Sequence, residues 1–203
     1  MHEAVPEAMI SCNPCCWKPE TPHFEADELI YPLMADWYDK AIAISLPAVS
    51  LLDHPRSGAL FRAPRKYNAH YEVVTQRAKS EAYENVNYPR MLVWKSIVEG
   101  FNGWNLFCYH NPPGYEIWDD MDLPDAGIAL AYPGPNGPVP TRQFEAAREG
   151  YEDYMLMALL KQRSSQQHAE VLAACRAGRS YVELRDMVYG ALEAARPARA
   201  GVS

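Results

Sequence analysis

Residues 102–120 read NGWNLFCYHNPPGYEIWDD, and residues 127–160 read GIALAYPGPNGPVPTRQFEAAREGYEDYMLMALL. An apolar run dense in aromatics comes first. A loop rich in Pro, Gly, Trp and Asp follows, and then a sharply started amphipathic helix. The order strand, long aromatic loop, helix is how an α/β barrel builds one wall of a substrate pocket. Long irregular loops in compact domains are usually functional or disordered. Tyr109, Tyr115 and Trp118 favour the functional reading here.

Working outward, the preceding segments repeat the alternation. Residues 8–12 (AMISC), 41–46 (AIAISL), 71–75 (YEVVT) and 104–109 read as strands. The continuous apolar run at 41–46 has the composition of a strand buried on both faces. Residues 24–40 are expected to be helical in parts, and 53–70 and 76–87 to be loops. Pro89 suits a first helical turn, and Met91, Trp94, Ile97 and Val98 recur at helical spacing until Gly100. Thr141 is a good N-cap, and Phe144, Ala147, Tyr151, Tyr154, Met155 and Ala158 are expected on one face of the helix it starts. Residues 134–137 (GPNG) form a turn. Two further helices are expected at 166–177 and 181–195, the second started by Ser180, with a fraying tail beyond Arg196.

Buried strands alternating with helices imply a parallel sheet. The expected fold is α/β, the C-terminal half of a (β/α)8 TIM-like barrel with about four parallel strands, followed by C-terminal helices. Residues 1–160 form the partial barrel, and 161–203 a helical extension packed on it.

Bulk properties narrow the function. The 203 residues carry a formal charge of −7 without a Lys/Arg patch, which argues against nucleic acid or an anionic membrane as partner. No run approaches the roughly 18 apolar residues of a membrane span. The opening MHEAVPEAMISCNP lacks the basic end and apolar centre of a signal peptide, so the cytoplasm is the default expectation and the compartment is otherwise open. Cys12, Cys15, Cys16, Cys108 and Cys175 show no second pair at metal-ligand spacing, so neither a metal nor a disulfide framework is expected. No Ser-His-Asp order, P-loop or dinucleotide fingerprint is present, and no cofactor is expected.

The candidate substrate-binding residues are Trp104, Tyr109, His110, Tyr115, Trp118 and Asp119. Sugar rings offer flat C–H faces and a fringe of hydroxyls. Aromatic faces pack against the first, and carboxylates and amides hydrogen-bond the second. Glycoside hydrolysis usually needs two carboxylates. By composition the acid pairs are Asp27 with Glu28, Asp119 with Asp120, and Glu152 with Asp153. The last pair lies mid-helix, where acids are structural or solvated.

Residues 130–134 (LAYPG) and 140–154 (PTRQFEAAREGYEDY) resemble the C-terminal signature of the family 123 glycoside hydrolases and their uncharacterised relatives. Those proteins carry a Tyr-Pro-Gly turn, then a Ser/Thr-x-Arg start to a helix ending in Arg-x-Gly-x-x-Asp-Tyr. Residues 88–94 (YPRMLVW), followed by Gly100 and Gly103, resemble the family's helix before the last barrel strand. The likeness is specific from about residue 88 to 160. From 10 to 74 only the order of elements fits, and the family often has Trp where Phe107 stands.

The resemblance implies a (β/α)8 barrel and a β-N-acetylhexosaminidase type of activity, notably on β-linked N-acetylgalactosamine. It also implies substrate-assisted catalysis. The acetamido group attacks the anomeric carbon, one acid of an adjacent Asp-Glu pair steadies it, and its neighbour is the general acid/base. By order of elements the chain is expected to begin just after the strand bearing that pair, and Asp27 and Glu28 form the one Asp-Glu dipeptide present. The catalytic residues are therefore open. The expected partner is a carbohydrate with N-acetylhexosamine. Open sheet edges imply a homo-oligomer or association with an N-terminal half. The competing readings are a non-catalytic carbohydrate-binding or scaffold module, and an intact small hydrolase using Asp27 and Glu28.

Overall fold

The short apolar runs around Ile44 and Leu106 are strands that pair in parallel with the two sides of a strand at Tyr67–Val73. The computed structural model describes residues 9, 11–12, 30–47, 49–52, 58–73, 82–107, 110–111 and 128–195. In chain order the first part comprises β1 (Ser11–Cys12), α1 (Ile30–Ala41), β2 (Ile44–Ser45), α2 (Val49–Leu52), α3 (Gly58–Arg62), β3 (Tyr67–Val73), α4 (Ala82–Glu99) and β4 (Gly103–Phe107). The second part comprises β5 (His110–Asn111), β6 (Ile128–Ala129), β7 (Ala131–Gly134), β8 (Gly137–Pro140), α5 (Arg142–Arg163), α6 (Ser165–Arg176) and α7 (Tyr181–Ala194).

The main sheet has the order β1-β2-β3-β4, every pair parallel. Ser45 faces Asn68, and Ala69 faces Gly103. Asn102 fixes the last register: its backbone N–H donates to the Asn68 carbonyl at 2.8 Å, and its side-chain oxygen accepts from the Asn68 N–H at 3.0 Å. Gly100, at φ 72°, makes the left-handed turn that carries α4 into β4. The α/β expectation stands at this level. Two small antiparallel pairs, β5–β6 and β7–β8, add to it, with the expected turn between Gly134 and Gly137.

Three expectations are corrected. The segment expected as loop at 53–70 contains α3 and the first half of β3, because β3 must reach back to Tyr67 to pair with Ile44. The segment at 76–87 contains the start of α4, and Pro89 lies inside that helix rather than in its first turn. The buried face of α5 is also displaced from the expected one. Gln143, Ala146, Ala147, Gly150, Asp153, Met157 and Leu160 are buried, whereas Tyr151 and Met155 are more than half exposed.

The larger core cluster joins four helices. It contains Val93, Trp94 and Ile97 of α4, Met157 and Leu160 of α5, Val171 of α6, and Leu184, Val188 and Leu192 of α7. A fully buried Leu, Val or Met contributes about 1.5–3 kcal/mol of transfer free energy. The second cluster gathers Tyr38, Ile42, Leu51, Leu52, Phe61 and Phe101. Within it the Tyr38 hydroxyl meets the Ser45 hydroxyl at 2.7 Å, and the Arg65 guanidinium lies 4.8 Å from the Tyr38 ring centroid. Among the described residues no helix is long and apolar enough to cross a membrane.

Caps set the helix ends. The Thr141 hydroxyl accepts from the Phe144 N–H at 3.2 Å and donates to the Leu130 carbonyl at 2.8 Å, which ties α5 to the end of β6. Ser180 and Glu183 form a reciprocal capping box at the start of α7.

Candidate functional site

β4, the fourth parallel strand, ends at Phe107, and the aromatic segment follows it in the sequence. His110 returns at once to backbone pairing, opposite Ala129 in the β5–β6 ladder. Tyr109, Tyr115, Trp118 and Asp119 lie outside the described residues, as do Asp27, Glu28 and Asp120. Trp104 is at the other end of β4, one residue past its start. It is half-buried and packs against the four-helix cluster.

The family-like signature has a definite geometry. Asp153 is 1% exposed, and its carboxylate accepts three hydrogen bonds. One oxygen takes Arg185 Nε at 2.6 Å. The other takes Arg90 Nε at 2.7 Å and the Trp94 indole N–H at 2.9 Å. Arg90 Nη1 donates onward to Glu149 at 2.6 Å, and Arg185 Nη2 donates to the Glu149 backbone carbonyl at 2.8 Å. The network thus stitches α4, α5 and α7 together. A buried carboxylate is tolerable when paired and hydrogen-bonded in this way. Arg90 Nη2 is buried without a partner, and its guanidinium lies 5.7 Å from the Tyr181 ring centroid. Burial pushes the Tyr181 hydroxyl up to about 12, with the Cys175 thiol adding to the shift and Arg90 opposing it.

The remaining signature residues play separate parts. Arg148 pairs with Glu145 and Glu152 on the exposed side of α5. The Tyr154 hydroxyl donates to the Asn102 carbonyl at 3.4 Å. Asp153 and Glu152, adjacent in sequence, therefore divide into a buried clamp and a solvated surface acid. Arg90 and Arg185 were not singled out from the sequence. The available signal was charge on an apolar stripe: Arg90 stands one turn before Trp94, and Asp153 one turn before Met157.

Gly150 allows the approach of α4 to α5. A Cβ there would stand 2.8 Å from Val93 Cγ2 and 3.1 Å from the Arg90 Cα. Gly150→Ala gains about 1 kcal/mol in helix propensity. Overpacking against a buried β-branched side chain and a backbone atom costs about 1–3 kcal/mol. The variant is expected to unfold at lower urea concentration than the wild type, with an unchanged m-value.

No protein-family model matches the sequence, and no curated protein matches it. Among solved structures, the chain has a distant similarity to a family 123 glycoside hydrolase from Clostridium perfringens, a protein that hydrolyses glycolipid glycans. The TM-score is 0.47 and the sequence identity 12%, over 81% of this chain and 32% of that one. The chain therefore spans about a third of that protein's length.

Proposed function

We propose that the chain is a glycoside hydrolase-like protein of the β-N-acetylgalactosaminidase type, in which residues 108–122 line the sugar-contacting wall of the pocket. One observation carries this reading: the aromatic segment starts where β4 ends, on the carboxyl edge of a parallel sheet. In open and closed α/β folds alike, ligands bind beyond the carboxyl ends of the strands. Tyr109, Tyr115 and Trp118 supply ring faces for a pyranose, and His110 and Asp119 supply hydrogen-bonding groups for its hydroxyls and acetamide.

The barrel curvature and the family chemistry belong to the same proposal. In it the acetamido group of the substrate is the nucleophile. The carboxylate pair stands outside the aromatic segment, with Asp27 and Glu28 as the pair this chain could itself supply. β1 is an outer strand of the four-stranded sheet, and the proposal includes its pairing with a second copy or a further polypeptide. The second reading is a carbohydrate-binding or scaffold module without catalysis.

Calorimetric titration with a β-linked N-acetylgalactosaminide should show binding. Trp118→Ala should weaken it about tenfold, the effect of losing one stacked ring. Trp104→Ala separates packing from recognition, and a loss of stability with affinity unchanged assigns Trp104 to the core. Release of a chromogenic aglycone by the wild type, abolished in Asp27→Asn or Glu28→Gln, would make the chain a complete hydrolase. If Trp118→Ala binds as the wild type does, the pocket assignment is wrong.

A further inference from the structure

Beside the start of β4, the end of α4 and the corner between α5 and α6 line a half-open cavity of about 500 Å³. That volume suits a small molecule. Its floor is apolar: Ile97 and Met157 belong to the four-helix cluster, and Leu172 packs on them. Its rim is polar: Lys161 and Gln162 come from the last turn of α5, and His168 from the first turn of α6.

The charge at this rim is unbalanced. The lining contains one acid, Glu99, and both its oxygens are held by Arg62, at 2.8 and 3.1 Å. Among the described residues no carboxylate pairs with Lys161. The Val98 carbonyl, at the end of α4, is taken by Arg176 at 3.2 Å, which sets a second cation beside the cavity. Lys161 and His168 both line the cavity, and burial, then the Lys161 charge, holds the His168 imidazole below its ordinary range. The Tyr154 hydroxyl on the wall makes a long bond at 3.4 Å and can turn toward an occupant.

We propose that this cavity binds a small monocarboxylate with an apolar body, its carboxylate on Lys161 and its ring or short chain on Ile97, Met157 and Leu172. An apolar floor with one uncompensated ammonium at the mouth is complementary to that class of ligand. A polyanion would meet Glu99, and a neutral apolar molecule would leave Lys161 unused.

Benzoate is the probe, with benzamide as its neutral counterpart, measured by calorimetry and thermal unfolding of the full chain. Benzoate should bind the wild type and raise its Tm. Lys161→Gln, at an exposed position, should weaken benzoate about tenfold and leave benzamide unchanged. Ala158→Phe fills the lined space, keeps every charge and should abolish binding of both. Absence of benzoate binding at millimolar concentration would overturn the proposal. Equal benzoate affinity in the wild type and Lys161→Gln, or binding that survives Ala158→Phe, would do the same.

Discussion

Asp153→Ala is expected to destabilise the fold by about 3–5 kcal/mol, the range for removing one partner of a buried ion pair. Its carboxylate is the shared acceptor for Arg90, Arg185 and the Trp94 indole. Truncation strands two guanidinium groups, one of them nine-tenths buried, next to an indole N–H with nothing to donate to. Arg90 already has one buried nitrogen without a partner, so it has little room to redirect the donor it loses. Asp153→Asn keeps the shape and one acceptor oxygen, so it should cost less than alanine and still be clearly destabilising. Urea unfolding midpoints at constant m-value measure both. A cost under about 1 kcal/mol for alanine would mean that this network is solvated like a surface pair.

Trp94→Ala is the second large effect, expected at about 3–5 kcal/mol for deleting a buried aromatic. Trp94 is 1% exposed and sits at the meeting point of α4, α5 and α7. Its loss opens a cavity and removes a donor from Asp153 together. Trp94→Phe separates the two contributions. Phenylalanine fills most of the space and lacks the N–H, so its cost should approach about 1–2 kcal/mol. If the two variants are equally unstable, the hydrogen bond outweighs the packing. Residues in one network do not add, so Asp153→Ala combined with Trp94→Phe should cost less than the sum of the single changes.

Local chemistry made part of this fold legible. Thr141 and Ser180 mark helix starts because a hydroxyl satisfies an orphan N–H, and both do so. Gly100 marks a helix end because the turn requires positive φ. The β-branched run around Ile44 reads as strand from composition alone. What escaped depends on partners distant in sequence. β3 starts at Tyr67 because Ile44 pairs there, and no local signal in 67–70 announces it. The start of α4 was hidden by Pro89, which reads as a first-turn residue and is held mid-helix by packing along α5. The buried face of α5 was misread because its aromatics looked like core. The interface instead uses the small residues Ala146, Ala147 and Gly150 and the ion-paired Asp153, and so leaves Tyr151 and Met155 outward.

Of the candidate site, Tyr109, Tyr115, Trp118 and Asp119 lie outside the described residues, and the sugar-binding role is a proposal from the sequence. The residues around Gly150 and Asp153 form a clamp between helices. The proposed function places the chemistry in the aromatic segment that follows β4 in the sequence. An amide-resolved NMR titration with a β-linked N-acetylgalactosaminide tests that division directly. The account predicts shift changes concentrated between Tyr109 and Asp119, with the amides of Gly150, Asp153 and Arg185 unmoved. Changes centred on α5 and α7, or none at millimolar sugar, would contradict it.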